Sequence, residues 1–289
     1  MNVERLAKRA SSLRLSAFSL AENMRQGNFK SLYRGQGIEF SDVRDYLPGD
    51  NVRAIDWNVT ARMGRAFIKQ YEEDRELSVL IILDCSSSME SNFGNTSKLS
   101  KAIEAASLLL FACEQNHAAV GTVFFDGKIQ FSCEPKTGRE NAMVILSKLD
   151  KIENRADDEK ANGSVLPNAL KGAGKLLKKR SLVFVISDFM SAKWETPMAN
   201  LSQKHDVVPI FMTDSSDFEL PELGTVSFYD TETQKKGVFP TNSKKFKSEW
   251  KEFHEKKIEA WRDFCVKHGS HPVILDTNED CVAVLERVF

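Results

Sequence analysis

Hydrophobic residues occur along this chain in two alternating patterns, short runs and longer stretches with a helical period. The runs at 77–84, 182–186 and 207–212 are almost entirely apolar, which is typical of strands buried on both faces of a parallel sheet. Longer apolar or amphipathic stretches predict helices at 96–116, 139–152, 165–179, 195–204 and 243–268, then a strand at 272–275 and a short C-terminal helix. This alternation predicts an α/β fold, a doubly wound, mainly parallel sheet with helices on both faces.

Two hairpins are predicted in addition to the parallel strands. The apolar segments 120–125 and 128–131 flank Asp126-Gly127, a dipeptide that strongly favours a two-residue turn. This first hairpin adds an antiparallel strand at one edge of the sheet. A second hairpin is predicted at 225–239.

The first 76 residues differ from the rest of the chain. A helix is predicted at 3–24, and short strand-like pieces follow at 38–40, 52–57 and 66–71, separated by Gly, Pro and charged residues. Because this segment has too few apolar residues for a core of its own, we predict that residues 1–76 form an N-terminal extension packed on a main domain at 77–289. Its alternating Arg and Asp residues favour ion pairs with that domain, and a docking surface is the alternative.

Composition restricts the class of protein. The chain has 289 residues, 42 % of them hydrophobic, and a formal net charge of −1, which argues against a dedicated nucleic-acid-binding protein. The five cysteines are dispersed without a C-x-x-C pair, so neither a zinc site nor a disulfide framework is expected. No apolar stretch is long enough for a membrane span and no signal peptide is evident. We therefore expect a cytoplasmic protein, associated with membranes only through partners.

Polar side chains with metal-binding oxygens follow two of the buried runs, at the points where the strands end. Asp84, Ser86 and Ser88 come directly after the first run, and Asp188 comes shortly after the second. A further polar loop at 162–164 opens a predicted helix. Because the carboxyl ends of strands in an open parallel sheet meet at one edge, where ligands bind, we expect the three loops to converge there.

Together these loops supply two carboxylates and several hydroxyl groups, the oxygen ligands that hard cations prefer. We predict one Mg²⁺ or Mn²⁺ site with the ligands Asp84, Ser86, Ser88, Ser164 and Asp188. Because most of these ligands are neutral, the bound ion would keep a net positive charge and attract a carboxylate from a partner protein. A Ser-rich turn that caps the next helix is the alternative for the first loop, and the second Asp favours the metal site.

The spacing D-x-S-x-S at Asp84, Ser86 and Ser88 resembles the metal-ion-dependent adhesion site of von Willebrand factor A-type domains. In that family a Thr in a second loop and an Asp in a third loop complete the site. Asp188 matches the Asp, while Ser164 stands where the family has Thr and keeps the hydroxyl, as a ligand directly or through water. The resemblance implies a Rossmann-like fold for residues 77–289 and metal-dependent protein binding.

A second resemblance covers the N-terminal part, which is similar to the bacterial family known as domain of unknown function 58. The similar stretches are Arg34–Phe40, Asp42–Asp50, Arg53–Trp57, Ala61-Arg62 and Tyr71–Asp74. They lie within some forty residues directly before the first buried strand. This resemblance implies a bacterial protein, cytosolic or membrane-associated, that works with a MoxR-type AAA+ ATPase.

These features favour a non-enzymatic adaptor that binds a MoxR-type AAA+ ATPase or its client in the assembly or maturation of protein complexes. The alternative is a Mg²⁺-dependent phosphohydrolase with Asp84 as nucleophile or metal ligand. Phosphatases of that type usually have a second Asp two residues later, where this chain has Ser86. A scaffold that binds metal poorly is a third interpretation. Cys85 is expected to be a small buried residue, since no His lies nearby in the sequence to activate its thiol.

Overall fold

The computed structural model describes residues 17–18, 20–22, 36–47, 50, 52, 55–72, 77–90, 96–155, 164–219, 224–229 and 236–288. The chain divides into two compact units, a smaller one at 24–76 and a larger one formed by 1–23 and 77–288. The chain thus leaves the larger unit after residue 23 and returns to it at Leu77. That the N-terminal extension packs on the main domain stays a prediction.

The described residues of the smaller unit form two antiparallel strands and a short helix. Its elements are β1 (Gln36–Asp45), α1 (Trp57–Met63) and β2 (Phe67–Glu72). Of the strand-like piece predicted at 52–57, the described residues 52 and 55–57 do not form a strand, although Ile55 makes an isolated bridge with Ile68. Asp56 explains the difference, because its side chain accepts hydrogen bonds from the backbone N–H groups of Asn58 and Val59 and so begins a helix.

Two ion pairs join described residues within the smaller unit. Arg44 and Asp50 share two hydrogen bonds of 2.8 Å, and Nε of Arg65 lies 3.3 Å from Oδ1 of Asp45. Ion pairs between the extension and the main domain stay a prediction. Arg53 falls outside the described residues.

The larger unit is built around a six-stranded sheet. The described strands of the larger unit are β3 (Ser78–Asp84), β4 (Ala119–Phe125), β5 (Ile129–Lys136), β6 (Leu182–Ser187), β7 (Asp206–Thr213), β8 (Thr225–Tyr229), β9 (Lys236–Pro240) and β10 (Val273–Asp276), of which all but β8 and β9 form this sheet. The sheet order is β10-β7-β6-β3-β4-β5, and its neighbouring strands are parallel except β4 and β5, which form the hairpin predicted at Asp126-Gly127. The strands β8 and β9 form a separate antiparallel pair, which confirms the second hairpin.

Helices flank the sheet on both faces. They are α2 (Ser87–Glu90), α3 (Lys98–Gln115), α4 (Arg139–Glu153), α5 (Leu166–Leu176), α6 (Glu195–Ser202), α7 (Ser215–Phe218), α8 (Lys244–Lys267) and α9 (Cys281–Glu286). Leu80 and Ile82 of β3 pack with Leu170 of α5 and Trp261 of α8 in one core cluster. The alternate residues of β3 point to the opposite face, and α3 contacts the strand there. The predicted doubly wound α/β fold is therefore confirmed.

The predicted helix at 3–24 lies mostly outside the described residues. Its described part, 17–18 and 20–22, is helical, and Ala17 and Leu20 are completely buried. Asn116, which follows α3, donates a 2.8 Å hydrogen bond from Nδ2 to the carbonyl oxygen of Ala21 and ties the segment to the larger unit. In the part of the chain that the structure describes, no helix has both the length and the apolar character that crossing a bilayer requires.

Candidate metal site

The first predicted loop leaves the sheet at its topological switch point. The strand β3 lies between β6 and β4, and this is where ligands bind in open α/β sheets. Asp84 is the last residue of β3, and its side chain is buried. Its Oδ1 accepts a 3.0 Å hydrogen bond from the backbone N–H of Ser86, and the hydroxyl oxygens of Ser86 and Ser88 are 3.1 Å apart. The D-x-S-x-S segment therefore folds into a compact turn.

Hydroxyl groups from the other two loops converge on the same carboxylate. Ser164 donates a 3.2 Å hydrogen bond from Oγ to Oδ2 of Asp84, and Ser187 at the end of β6 donates one of 2.7 Å to the same oxygen. Ser191 also donates from Oγ to the carbonyl oxygen of Ser164, at 3.2 Å. The three loops thus meet as expected, although residues 162–163 fall outside the described part. Ser187 was not among the predicted ligands.

A left-handed residue follows Asp188 in the third loop. Phe189 has φ 49°, a conformation that residues other than Gly adopt rarely and that costs energy. Its backbone N–H donates to Oγ of Ser187 at 3.0 Å, and the backbone N–H of Met190 donates to Oδ1 of Asp188 at 3.1 Å. The buried ring of Phe189 packs edge-on against Trp194, with 5.3 Å between the ring centroids. This packing offsets the backbone strain, and the hydrogen bond from Met190 orients the carboxylate of Asp188.

The electrostatics of the loops favour a cation. Burial and, second, the negative charge of Asp188 raise the pKa of Asp84 to about 7, although hydrogen bonds from Ser86 and Ser187 lower it. A divalent cation stabilises the charged carboxylate and so opposes this shift. Two buried carboxylates with neutral hydroxyl groups fit a hard ion such as Mg²⁺ or Mn²⁺. Among the described residues, no three His, Cys, Asp or Glu side chains are grouped to hold a metal, so a zinc-type ligand cluster is not found there.

Sequence reasoning missed one charged residue beside the first loop. Arg155 follows α4, and its side chain is only 8 % exposed. Its guanidinium donates to the carbonyl oxygen of Cys85 and pairs with Glu90 at 2.5 Å and Asp126 at 3.2 Å. These partners are 70, 65 and 29 residues away in the sequence, so no local pattern distinguishes Arg155 from an ordinary residue of a polar connection.

Cys85 lies between two candidate ligands and has none of the features of a nucleophile. Its side chain is completely buried, and Sγ lies 3.7 Å from the carbonyl oxygen of Leu83. Burial, followed by the negative charge of Asp84, raises the pKa of the Cys85 thiol well above its ordinary value. The thiolate is therefore disfavoured, and the prediction of a small buried cysteine is confirmed.

Several known proteins are similar to this chain. An uncharacterized protein of Mycobacterium tuberculosis is 27 % identical over 230 residues, which cover 79 % of this chain and 72 % of the relative. The crystal structure of an aerotolerance-related membrane protein from Bacteroides fragilis matches with a TM-score of 0.51 and 18 % identity, over 73 % of this chain and 96 % of that one. The VWA domain of SpRpn10 matches with a TM-score of 0.42 and 12 % identity, over 74 % and 95 %.

A family match covers most of the chain. The family described as "Protein of unknown function DUF58" matches residues 42–260, which are 219 of the 289 residues. This range contains β3, β6 and all three loops of the candidate metal site. This chain therefore belongs to the DUF58 family.

Proposed function

We propose that this protein is a non-enzymatic adaptor that binds a partner protein through a divalent cation. The residues that would hold Mg²⁺ or Mn²⁺ are Asp84, Ser86, Ser88, Ser164 and Asp188. The observation that carries this proposal is the convergence of hydroxyl groups from two other loops on the buried carboxylate of Asp84. When bound, the ion supplies positive charge to which a carboxylate of the partner binds.

The partner that we propose is a MoxR-type AAA+ ATPase or its client, recognised through an acidic side chain that completes the ion's coordination. The family resemblance supports the ATPase, and the neutral hydroxyls among the proposed ligands support the acidic side chain. We further propose that binding serves protein-complex assembly or maturation in the cytoplasm. All five cysteines are free, which supports a reducing compartment.

Metal binding is tested by calorimetry with Mg²⁺ and Mn²⁺ on the full chain. We expect one site in the wild type and a loss of at least tenfold in affinity in Asp84→Asn and Asp188→Asn, since each removes one of two carboxylates. The matched control is Asp263→Asn, which removes an exposed carboxylate of α8. Equal affinities in the wild type and Asp84→Asn would contradict the assignment.

Partner binding is tested by a pull-down of the candidate ATPase with Mg²⁺, with chelator, and with Ser86→Ala. We expect capture with Mg²⁺ and loss in the other two conditions. Equal capture in all three conditions would show that the metal has no role in partner recognition. It would favour the charged smaller unit as the docking surface.

The phosphohydrolase alternative is tested by turnover of a simple aryl phosphate. A hydroxyl group, that of Ser86, stands where such enzymes place their general acid, and it lies 3.1 Å from the hydroxyl of Ser88. We therefore expect no Mg²⁺-dependent turnover above that of Asp84→Asn. If the wild type turns over the substrate and Asp84→Asn does not, the protein is an enzyme and the adaptor proposal is wrong.

A further inference from the structure

We propose that Arg155 is a positioning residue that sets the geometry of the metal loops without touching the ion. This inference rests on the proposed function of the site. The guanidinium donates to the carbonyl oxygen of Cys85, the residue between Asp84 and Ser86 in the first loop. A shift of this carbonyl moves the backbone of both neighbours, so the contact acts directly on two candidate ligands.

Two carboxylates, one half-buried and one completely buried, hold the guanidinium in place. Its Nε and Nη2 lie 3.0 and 2.5 Å from Oε1 of Glu90, the last residue of the short helix α2 that also contains Ser88. Its Nη1 lies 3.2 Å from Oδ2 of Asp126, whose side chain is completely buried. Because Arg155 donates from all three nitrogens in a planar fork, a lysine could not reproduce the arrangement.

Asp126 extends the network from the first loop to the second. Its carbonyl oxygen accepts a 2.9 Å hydrogen bond from the backbone N–H of Val165, the residue after Ser164. The preceding residue, Phe125, accepts a 2.7 Å hydrogen bond from the backbone N–H of Cys85. The end of β4 therefore contacts both loops, and Arg155 joins it to the first.

The direction in which ion affinity changes when Arg155 is replaced distinguishes a positioning role from a purely electrostatic one. Arg155 is a cation close to a proposed cation site, so by Coulomb repulsion alone its removal would strengthen ion binding. If Arg155 positions the loops, its removal weakens ion binding instead, because the ligands lose their shared geometry. Substitution of groups that orient metal ligands typically lowers metal affinity by roughly 10- to 100-fold.

The experiment measures Mg²⁺ and Mn²⁺ affinity by calorimetry on the full chain with Arg155→Met and Arg155→Lys. The matched control is Arg180→Met, which breaks the 2.5 Å ion pair with Asp206. Asp206 is the first residue of β7 and so lies at the amino ends of the parallel strands, away from the metal loops at their carboxyl ends. Circular dichroism and thermal melting in chelator establish that each variant is folded at the temperature of the titration.

We expect binding about tenfold weaker or more in Arg155→Met, a smaller loss in Arg155→Lys, and wild-type affinity in Arg180→Met. Unchanged or tighter binding in Arg155→Met overturns the inference. If Arg155→Met does not fold, Arg155→Lys decides, since it keeps the charge and loses the fork, and wild-type affinity in it overturns the inference. If the wild type binds no ion, both the proposed function and this inference are wrong. If the wild type binds an ion and Arg155→Met binds it equally well, only this inference is wrong.

Discussion

Individual histidine side chains in the larger unit are buried where protonation is unfavourable. Burial lowers the pKa of His205, and the positive charge of Lys204 lowers it further. Burial also lowers the pKa of His254, although the negative charge of Asp217 opposes this shift. Both histidines therefore take up a proton more readily in the unfolded chain, so their contribution to stability is present above the unfolded pKa of about 6.5 and is lost as the pH falls below it.

We expect the free energy of unfolding to fall less between pH 7 and pH 5.5 in the double variant His205→Gln, His254→Gln than in the wild type, because the two acid-sensitive groups are absent. Urea unfolding at each pH, in chelator, measures the two slopes. Parallel slopes in the double variant and the wild type would show that these histidines do not contribute.

The candidate site shows which residues a sequence can identify. Asp84, Ser86 and Ser88 are neighbours in the chain, and Asp188 follows a buried strand, so local pattern is enough to propose them as ligands. Arg155 contacts the same loops but acquires its burial from residues far away in the sequence. Long-range burial of a charged side chain leaves no periodic signal, which is why Arg155 was missed.

At the scale of elements, the hairpin of β4 and β5 depends on a close approach of two backbones. A Cβ atom placed on Gly121 of β4 would lie 2.7 Å from the carbonyl oxygen of Cys133 and from the backbone nitrogen of Pro135. Backbone atoms held in a sheet cannot move aside as a flexible side chain can. Gly172, within α5, has no atom within 4 Å of such a Cβ.

We therefore expect Gly121→Ala to destabilise the protein by about 1–3 kcal/mol, as overpacking of a filled site does. Gly172→Ala is the matched substitution and should stabilise by about 0.5–1 kcal/mol, because alanine loses less backbone entropy in a helix. Urea unfolding of both variants gives the comparison. Effects of the same sign and size would mean that the close approach is absent.

The start of α3 is joined to α7 by a buried ion pair. Nζ of Lys98 lies 2.7 Å from Oδ2 of Asp217, and the two side chains are 5 % and 11 % exposed. Removing one partner of such a pair leaves the other charge buried and uncompensated. The exposed pair of Lys178 and Glu134, at 3.2 Å, has no such consequence, because solvent screens both charges.

Lys98→Met should accordingly destabilise the protein by about 3–5 kcal/mol. The control Lys178→Met should change the free energy of unfolding by no more than about 1 kcal/mol. Chemical unfolding at constant pH measures both values. Similar small effects in the two variants would indicate that the charge of Asp217 is relieved in another way.

The elements themselves were predicted best where the apolar pattern is long. The helices α3 and α8 and the strands β3, β6 and β7 lie within a few residues of their predicted positions, because burial on the sheet imposes their period. The pattern failed at the end of the piece predicted at 52–57, where Asp56 caps a helix that begins at Trp57. There a local hydrogen bond outweighs side-chain preference.

For the whole molecule, the order of the two units along the chain matters. The segment at 17–22 precedes the smaller unit, yet its residue Leu20 is buried and belongs to the larger unit. A fragment that begins at residue 77 lacks this segment. The larger unit is therefore incomplete in such a fragment, whatever the smaller unit contributes.

We expect Leu20→Ala in the full chain to destabilise the larger unit by about 2–5 kcal/mol, as for other buried Leu→Ala substitutions. Phe18→Ala is the matched control, since that side chain is 68 % exposed, and its effect should stay within about 0.5 kcal/mol. Thermal and urea unfolding measure both. We also expect the fragment 77–289 to aggregate, and a soluble fragment that melts cooperatively would contradict this.

The buried central strands have a consequence for the exchange of backbone amide hydrogens with water. The strands β3 and β6 are buried along their whole length and paired on both sides, so their amides exchange only when the entire unit unfolds. An ion that binds only the folded form raises the free energy of unfolding by RT ln(1 + c/Kd), where c is the concentration of the free ion, and slows this exchange accordingly. Deuterium uptake at the amides of Ile82 and Val185, deep in the sheet, therefore reports whether an ion is bound at the metal loops, although neither residue contacts the ion.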